Sequence, residues 1–300
     1  MGPDAGLFPL RYRTAIVVAN PVSGRGRGRD AAEELAAGLR KRGVACELLL
    51  TDRRGEAFDH LRTLTQPVDL VVAVGGDGTV REILDGLVDP AVPVGVLPYG
   101  TANVLAHELD LPRDVHHALD ILARDKPREI DVLSVNGRLA TFVVGTGIDA
   151  LAVAEVERRR TGPITKLAYA SAVLRALRHY RPPELRVELD GTELPDPFGF
   201  VLVSNTRGYG SILHLAPDAR MDDGLLEAYL FPTGSLFELA RAFLRGLVAH
   251  LPGGAVTMRR ARSIRIRSET PVPFQVDGDS GGHTPVEIAV ARNRYRLLAR

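Results

Sequence analysis

The chain has 300 residues, 45% hydrophobic and 25% charged, with a formal net charge of +1. That length allows one large or two moderate domains with ample core, the composition is that of a soluble globular protein, and so small a net charge argues against nucleic acid as a partner. The single cysteine, Cys46, excludes an intramolecular disulfide and fits a reducing cytoplasm; no stretch approaches the ~18 apolar residues that span a bilayer, and Met1–Leu10 has neither the secretory pattern nor, with Gly6 in place of Ser or Thr, the myristoylation pattern.

Thr14–Asn20 is an apolar run that predicts a buried strand. Pro21-Val22-Ser23-Gly24 is a turn, followed by Arg25, Arg27 and Arg29, which either neutralise phosphates or form a solvated loop. A helix follows with Ala32, Leu35, Ala36 and Leu39 on one face and Asp30 as its N-cap. Ala45–Thr51 predicts the next strand and Phe58–Leu64 a short helix. Asp69–Val74 is a continuous apolar run, as expected of a parallel strand covered on both faces. Val92–Leu97 repeats the pattern and ends in Pro98-Tyr99-Gly100-Thr101-Ala102-Asn103; helices are expected over Ala102–Leu109 and Val115–Leu122. Alternating strands and helices predict an open, mostly parallel α/β sheet. Ligands of such sheets bind beyond the C-terminal strand ends, where all three glycine-containing turns lie, so the turns can converge on one ligand.

The central turn is Val74-Gly75-Gly76-Asp77-Gly78-Thr79. Val80, Ile83, Leu84 and Leu87 recur at helical spacing behind it, predicting a helix over Thr79–Val88. Its glycines permit a sharp turn and leave the backbone uncovered. A phosphate suits such a place, because unpaired N–H groups and the positive end of the helix dipole both favour an anion. Asp77 would repel a bare phosphate, so it faces a metal ion, a hydroxyl to be activated, or a neighbouring loop.

Past Glu129 the pattern changes. Glu129–Val135, Thr141–Val144, Glu184–Asp190, Phe198–Ser204, Leu226–Leu230 and Pro285–Ala291 read as strands, with Asn136-Gly137 and Asp190-Gly191 as hairpin turns. Leu185, Val187 and Leu189 alternate with Arg186, Glu188 and Asp190, the mark of an antiparallel sheet with one wet face. Amphipathic helices are expected over Pro163–Tyr180 and Ser235–Leu247, packing on this β region or forming the mouth for a lipid tail. Arg259–Arg267 is basic but alternates like one strand with a solvated face. Phe274-Gln275-Val276-Asp277-Gly278-Asp279 is a strand ending in two acids about a glycine.

The Gly75–Thr79 stretch resembles the nucleotide-binding motif shared by diacylglycerol, sphingosine and NAD kinases and 6-phosphofructokinases. Asn20-Pro21-Val22-Ser23-Gly24, the Pro98–Asn103 run and Gln275-Val276-Asp277-Gly278-Asp279 resemble further motifs of the diacylglycerol kinase-like lipid kinases, in the right order. Val104 stands where that family has Asp, and Asp279 where it has Glu. The resemblance implies a nucleotide-binding α/β domain over residues 1–128 with 292–300 and a mainly β lipid domain, of antiparallel sandwich type, over 129–291, with the active site in the cleft between them. It implies transfer of the γ-phosphoryl of ATP to a lipid hydroxyl, foremost that of diacylglycerol. It implies nucleotide contacts from Asn20, Ser23, Gly24, Gly75, Gly76, Asp77, Gly78, Thr79, Thr101, Asn103 and Asp279. Asp277 is the expected general base, with Asp77 as fallback. Mg²⁺ accompanies ATP, and a structural Mg²⁺ is implied at Asp223 with the carbonyls of Arg220 and Leu225. The implied setting is the cytoplasm, peripheral to the inner face of the membrane, where the lipid would be met; a homodimer is left open. The alternatives are a NAD kinase-like enzyme and a degenerate protein that binds lipid or nucleotide without turnover.

Overall fold

Apolar runs build the first sheet. The structure is a computed structural model that describes residues 10–159, 171, 175–176, 180–209, 213–233, 241, 245 and 250–300. It divides into two compact units, Met1–Ile130 with Asn293–Arg300, and Asp131–Arg292. The helix expected over Ser235–Leu247 lies almost wholly outside the described residues, as does most of that over Pro163–Tyr180.

In the first unit the elements run β1 (Thr14–Ala19), α1 (Gly28–Lys41), β2 (Ala45–Leu50), α2 (Glu56–Arg62), β3 (Leu70–Gly75), α3 (Asp77–Gly86), β4 (Val94–Pro98), α4 (Val104–Glu108), α5 (Val115–Arg124) and β5 (Pro127–Ile130). The sheet order is β2-β1-β3-β4, then the chain's last strand, then β5. β1 runs parallel to β2 and β3, and β3 to β4. The last strand, Tyr295–Leu298, is parallel to β4 and antiparallel to β5. All six residues of β3 are buried, as expected for a strand covered on both faces. Leu35 and Leu39 of α1 and Leu119 and Leu122 of α5 join Val17, Val72 and Leu97 in one core.

Three local expectations are corrected here. Ser23–Gly26 forms a single 3-10 turn, and α1 starts at Gly28 with Arg27 as N-cap; Asp30 lies inside the first turn, where its charge still favours the helix start. α3 begins at Asp77, so the acid belongs to the helix. α4 is short because Asn103 takes a left-handed conformation, φ +48°, which no helix can include.

The second unit contains β6 (Leu133–Val135), β7 (Arg138–Ala140), β8 (Val143–Thr146), α6 (Ile148–Arg159), β9 (Arg186–Leu189), β10 (Thr192–Glu193), β11 (Phe198–Ser204), β12 (Gly208–Tyr209), β13 (Leu213–His214), β14 (Leu226–Pro232), β15 (Thr257–Ala261), β16 (Ser263–Arg267), β17 (Pro273–Val276), β18 (Asp279–His283) and β19 (Val286–Val290); the last strand is then β20. Two six-stranded antiparallel sheets, β10-β9-β16-β19-β6-β7 and β15-β14-β11-β8-β17-β18, share a core of Val187, Val201, Leu230, Ile264, Ile266, Phe274 and Ile288. The parallel α/β sheet followed by an antiparallel β-sandwich is the expected fold class.

The run read as one strand over Glu129–Val135 is two, because β5 pairs with β20 in the first unit and β6 with β19 in the second. Arg259–Arg267 also divides: β15 pairs with β14 in one sheet and β16 with β9 and β19 in the other. Asp190 fastens the crossing by accepting the N–H groups of Arg262 and Ser263 at 2.9 and 2.8 Å. Three arginines of this run face acids of their own unit: Arg260 pairs with Glu227 at 3.1 Å, Arg265 with Glu287, and Arg267 with Glu193 at 2.6 Å.

Candidate functional site

The three glycine-containing turns of the first unit touch one another. Asn20 N–H donates to the Val74 carbonyl at 3.2 Å, and the N–H groups of Tyr99 and Gly100 donate to the Gly75 carbonyl at 2.8 and 3.2 Å. A Cβ on Gly100 would lie 2.3 Å from the Gly76 Cα, and one on Gly24 would lie 2.5 Å from the Tyr99 ring. Gly24 is left-handed, φ +59°, but Gly75, Gly76, Gly78 and Gly100 are not. Gly75, Gly76 and Gly100 are therefore explained by close approach: Gly75 admits the Thr79 side chain, and Gly76 and Gly100 admit each other's backbone.

Asn20 and Ser23 build the first turn. Asn20 Oδ1 accepts from Val22 N at 3.1 Å, and Ser23 Oγ donates to the Asn20 carbonyl at 2.7 Å. In the second turn, Thr79 N and Val80 N already donate to the Gly76 carbonyl, while Gly78 is exposed and nothing lies within 4 Å of where its Cβ would be. In the third, Thr101 is exposed and Asn103 is 4% exposed; Asn103 Nδ2 donates to the Gly100 carbonyl, and its Oδ1 has no hydrogen-bond partner among the described residues. An open helix mouth, a cradle that a methyl group would fill and a buried unpaired oxygen suit a nucleotide with its phosphates at α3. Asp77 Oδ1 accepts from Leu105 N, in α4, at 3.5 Å. Thr51, not singled out in the sequence, caps the end of β2 by donating N–H and Oγ1 to the Ala19 carbonyl; its place at a parallel strand end was the signal available.

In the second unit, Asp277 and Gly278 form the two-residue turn of the β17–β18 hairpin, both with positive φ, +51° and +86°. Asp-Gly is a favoured pair for such a turn. The Asp277 carboxylate folds back onto residues 141–143. Oδ2 accepts from Thr141 N and Thr141 Oγ1 at 2.7 and 2.8 Å, and Oδ1 from Phe142 N and Val143 N at 2.8 and 3.1 Å. A carboxylate has about four acceptor positions, and all are filled. Asp277, the expected general base, thus carries four hydrogen bonds that hold the hairpin to residues 141–143. Asp279, the first residue of β18, is half-buried.

Asp223 lies on a separate turn of the second unit. Its Oδ1 accepts from Leu225 N at 3.0 Å, and Gly224 N donates to Asp131 Oδ2 at 2.7 Å. The Arg220 guanidinium pairs with Asp222. Nearby, Glu227 is fully buried, one carboxylate oxygen paired with Arg260 at 3.1 Å and the other unpaired, and burial pushes its carboxyl up to about 7. The donors at this turn, carboxylates and carbonyls, are of the hard-oxygen kind that Mg²⁺ takes. Among the described residues no three His, Cys, Asp or Glu side chains converge as a metal cage. Asp131 and Glu227 were given no task from the sequence, since a single buried polar residue carries no periodic signal.

Residues 14–135 match the diacylglycerol kinase catalytic domain, and residues 142–299 match the YegS C-terminal NAD kinase beta sandwich-like domain. A protein of Bacillus subtilis named diacylglycerol kinase is 27% identical over 291 residues, covering 95% of each chain. One of the same name from Staphylococcus haemolyticus is 27% identical over 277 residues, 91% of this chain and 84% of that protein. The crystal structure of a diacylglycerol kinase from Bacillus anthracis superposes with a TM-score of 0.75 at 20% identity, covering 97% of this chain and 98% of that one.

Proposed function

This chain belongs to the diacylglycerol kinase-like family of kinases, and from that premise we propose that it is an ATP-dependent lipid kinase, with diacylglycerol as the foremost acceptor and phosphatidic acid as product. The carrying observation is the mutual contact of the three strand-end turns of the first unit, with the open mouth of α3 among them. Gly76, Gly78, Thr79, Thr101 and Asn103 hold the nucleotide on a frame built by Asn20, Ser23, Gly24 and Gly75. The acceptor is a lipid hydroxyl met at a membrane surface; among the described residues no helix is long and apolar enough to cross a membrane.

In the transfer, the hydroxyl oxygen bonds to the γ-phosphorus as the bond to the bridging oxygen breaks and ADP leaves. A hydroxyl is a very weak acid, so its proton must pass to an acceptor. Asp279 takes that role, because Asp277 in the same hairpin has every acceptor position filled. Asp77 would hold the nucleotide's Mg²⁺, which would supply neutralisation of charge on the phosphates. A second Mg²⁺ would be held by Asp223 with the carbonyls of Arg220 and Leu225, and would brace that turn.

The test is a kinase assay with labelled ATP against diacylglycerol micelles, a total lipid extract and NAD, with mass identification of the product. Labelled phosphatidic acid supports the reading. Labelled NADP, or nucleotide binding without transfer to any acceptor, overturns it. Asp279→Asn is expected to lower single-turnover transfer by ~10²-fold or more with ATP bound normally.

A further inference from the structure

The proposed chemistry leaves one buried polar cluster of the second unit without a task. Asp149, in the first turn of α6, is 5% exposed, Tyr209 8% and Gln275 0%. Tyr209 Oη donates to Asp149 at 2.9 Å to Oδ1 and 3.1 Å to Oδ2. Gln275 Nε2 donates to Asp149 Oδ2 at 2.8 Å, and Gln275 Oε1 accepts from Gly278 N at 2.7 Å. The amide can lie only this way: flipped, its oxygen would face a carboxylate and its NH₂ would face an N–H. The charge of Asp149 therefore decides the orientation of Gln275, and Gln275 grips the turn that leads to Asp279.

Gly145, paired with Gln275 across the sheet, makes the room, since a Cβ there would lie 2.0 Å from Asp149 Oδ2. The hairpin turn is thus held twice, by Asp277 on residues 141–143 and by Gln275 on Asp149. A buried carboxylate is a poor choice for stability alone, because apolar side chains of similar shape serve as well or better.

We propose that Asp149 is a positioning residue for the Asp277–Asp279 turn, acting through Gln275, with Tyr209 orienting its carboxylate. This rests on the reading of Asp279 as proton acceptor, and the test separates the two. Gln275→Glu sets one carboxylate against another; kcat is expected to fall ~10²-fold, as misplaced reacting groups do, with KM for ATP unchanged. Adding Asp149→Asn reverses the donor: the new amide donates to the new carboxylate, which still accepts from Gly278 N. The double variant is expected to recover to within about fivefold of wild type, a gap of ~1 kcal/mol in barrier. Tyr209→Phe should lower kcat by about tenfold, the scale of a lost orienting partner. If Gln275→Glu does not fold, Gln275→Met keeps the volume without the hydrogen bonds and serves in its place. A merely structural role would lower the melting temperature and leave kcat intact at a permissive temperature, with no recovery in the double variant; that outcome overturns the proposal.

A second arm needs no activity. Amide exchange at Gly278, read by NMR on the lipid-free chain, should speed up in Gln275→Glu and slow again in the double variant. Unchanged exchange overturns the proposal. A wild-type chain that phosphorylates no lipid would overturn the kinase reading, and the exchange arm would still decide this one.

Discussion

Two turns of this molecule are written in nearly the same residues and are held in different ways. Gly75-Gly76-Asp77-Gly78 and Asp277-Gly278-Asp279 each set acids beside glycine at a strand end. In the first, the Asp77 carboxylate accepts from Leu105 N at 3.5 Å, and Gly78 faces open space. In the second, Asp277 accepts four hydrogen bonds and Gly278 N is gripped by Gln275. At the first turn the backbone at Gly78 is open to a ligand. An acid with every acceptor position filled is part of the scaffold. The type of residue does not separate the cases; the donors that reach it do.

The largest test of this contrast is Asp277→Ala. It leaves three backbone N–H groups and the Thr141 hydroxyl without acceptors, on residues at most 4% exposed. Each unsatisfied buried donor costs about 1–3 kcal/mol, so urea denaturation should show a loss of about 4 kcal/mol or more, against about 1 kcal/mol or less for Asp77→Ala. Equal losses would erase the distinction between the two acids.

Next in size is Gly100→Ala. Its Cβ would lie 2.3 Å from the Gly76 Cα, backbone against backbone, so overpacking should cost about 1–3 kcal/mol. Gly78→Ala meets nothing and should keep stability within about 0.5 kcal/mol. Both should weaken ATP binding, the first by distorting the cradle and the second by filling the phosphate's space. Calorimetric ATP affinities equal to wild type in both variants would remove the nucleotide from these turns.

The smallest effect concerns an exposed counterpart of Asp277. Asp69 Oδ2 accepts from Arg13 N and Thr14 N at 2.7 and 3.0 Å, and these bonds hold its carboxyl below the ordinary range. A depressed carboxyl stabilises above its unfolded value of about 3.9 and ceases to do so as pH falls through its folded value. Asp69→Asn should therefore melt about 2 °C below wild type at pH 7, a fraction of a kcal/mol at this size, and the gap should close by about pH 2. A gap that persists there would show that the charge is not what fastens β1 to the start of β3.

Legibility followed the range of the contacts. Unbroken apolar runs announced β1, β3 and β4, because a covered parallel strand tolerates little else. Asn136-Gly137 and Asp190-Gly191 announced their hairpins, whose residues all have positive φ. Asp277-Gly278 is the same signal, yet the following strand, Asp-Ser-Gly-Gly-His, lacks apolar alternation and hid the hairpin. α6 carries no apolar stripe of helical spacing and was not anticipated. The alternation read over Arg259–Arg267 breaks at the change of sheet, where the buried Ala261 and Ile264 stand three residues apart and both still join the same core.

What the sequence alone determined are the features set within a few residues: strand and helix alternation, turn chemistry, and the glycine turns that bring uncovered backbone to a helix start. What tertiary structure decided is the surroundings of each acid. The donors that fill Asp277 come from 134 to 136 residues away, and Gln275 reaches Asp149 across 126. A carboxylate is scaffold or reagent according to which N–H groups the fold carries to it, and contacts at that separation leave no periodic trace in the chain.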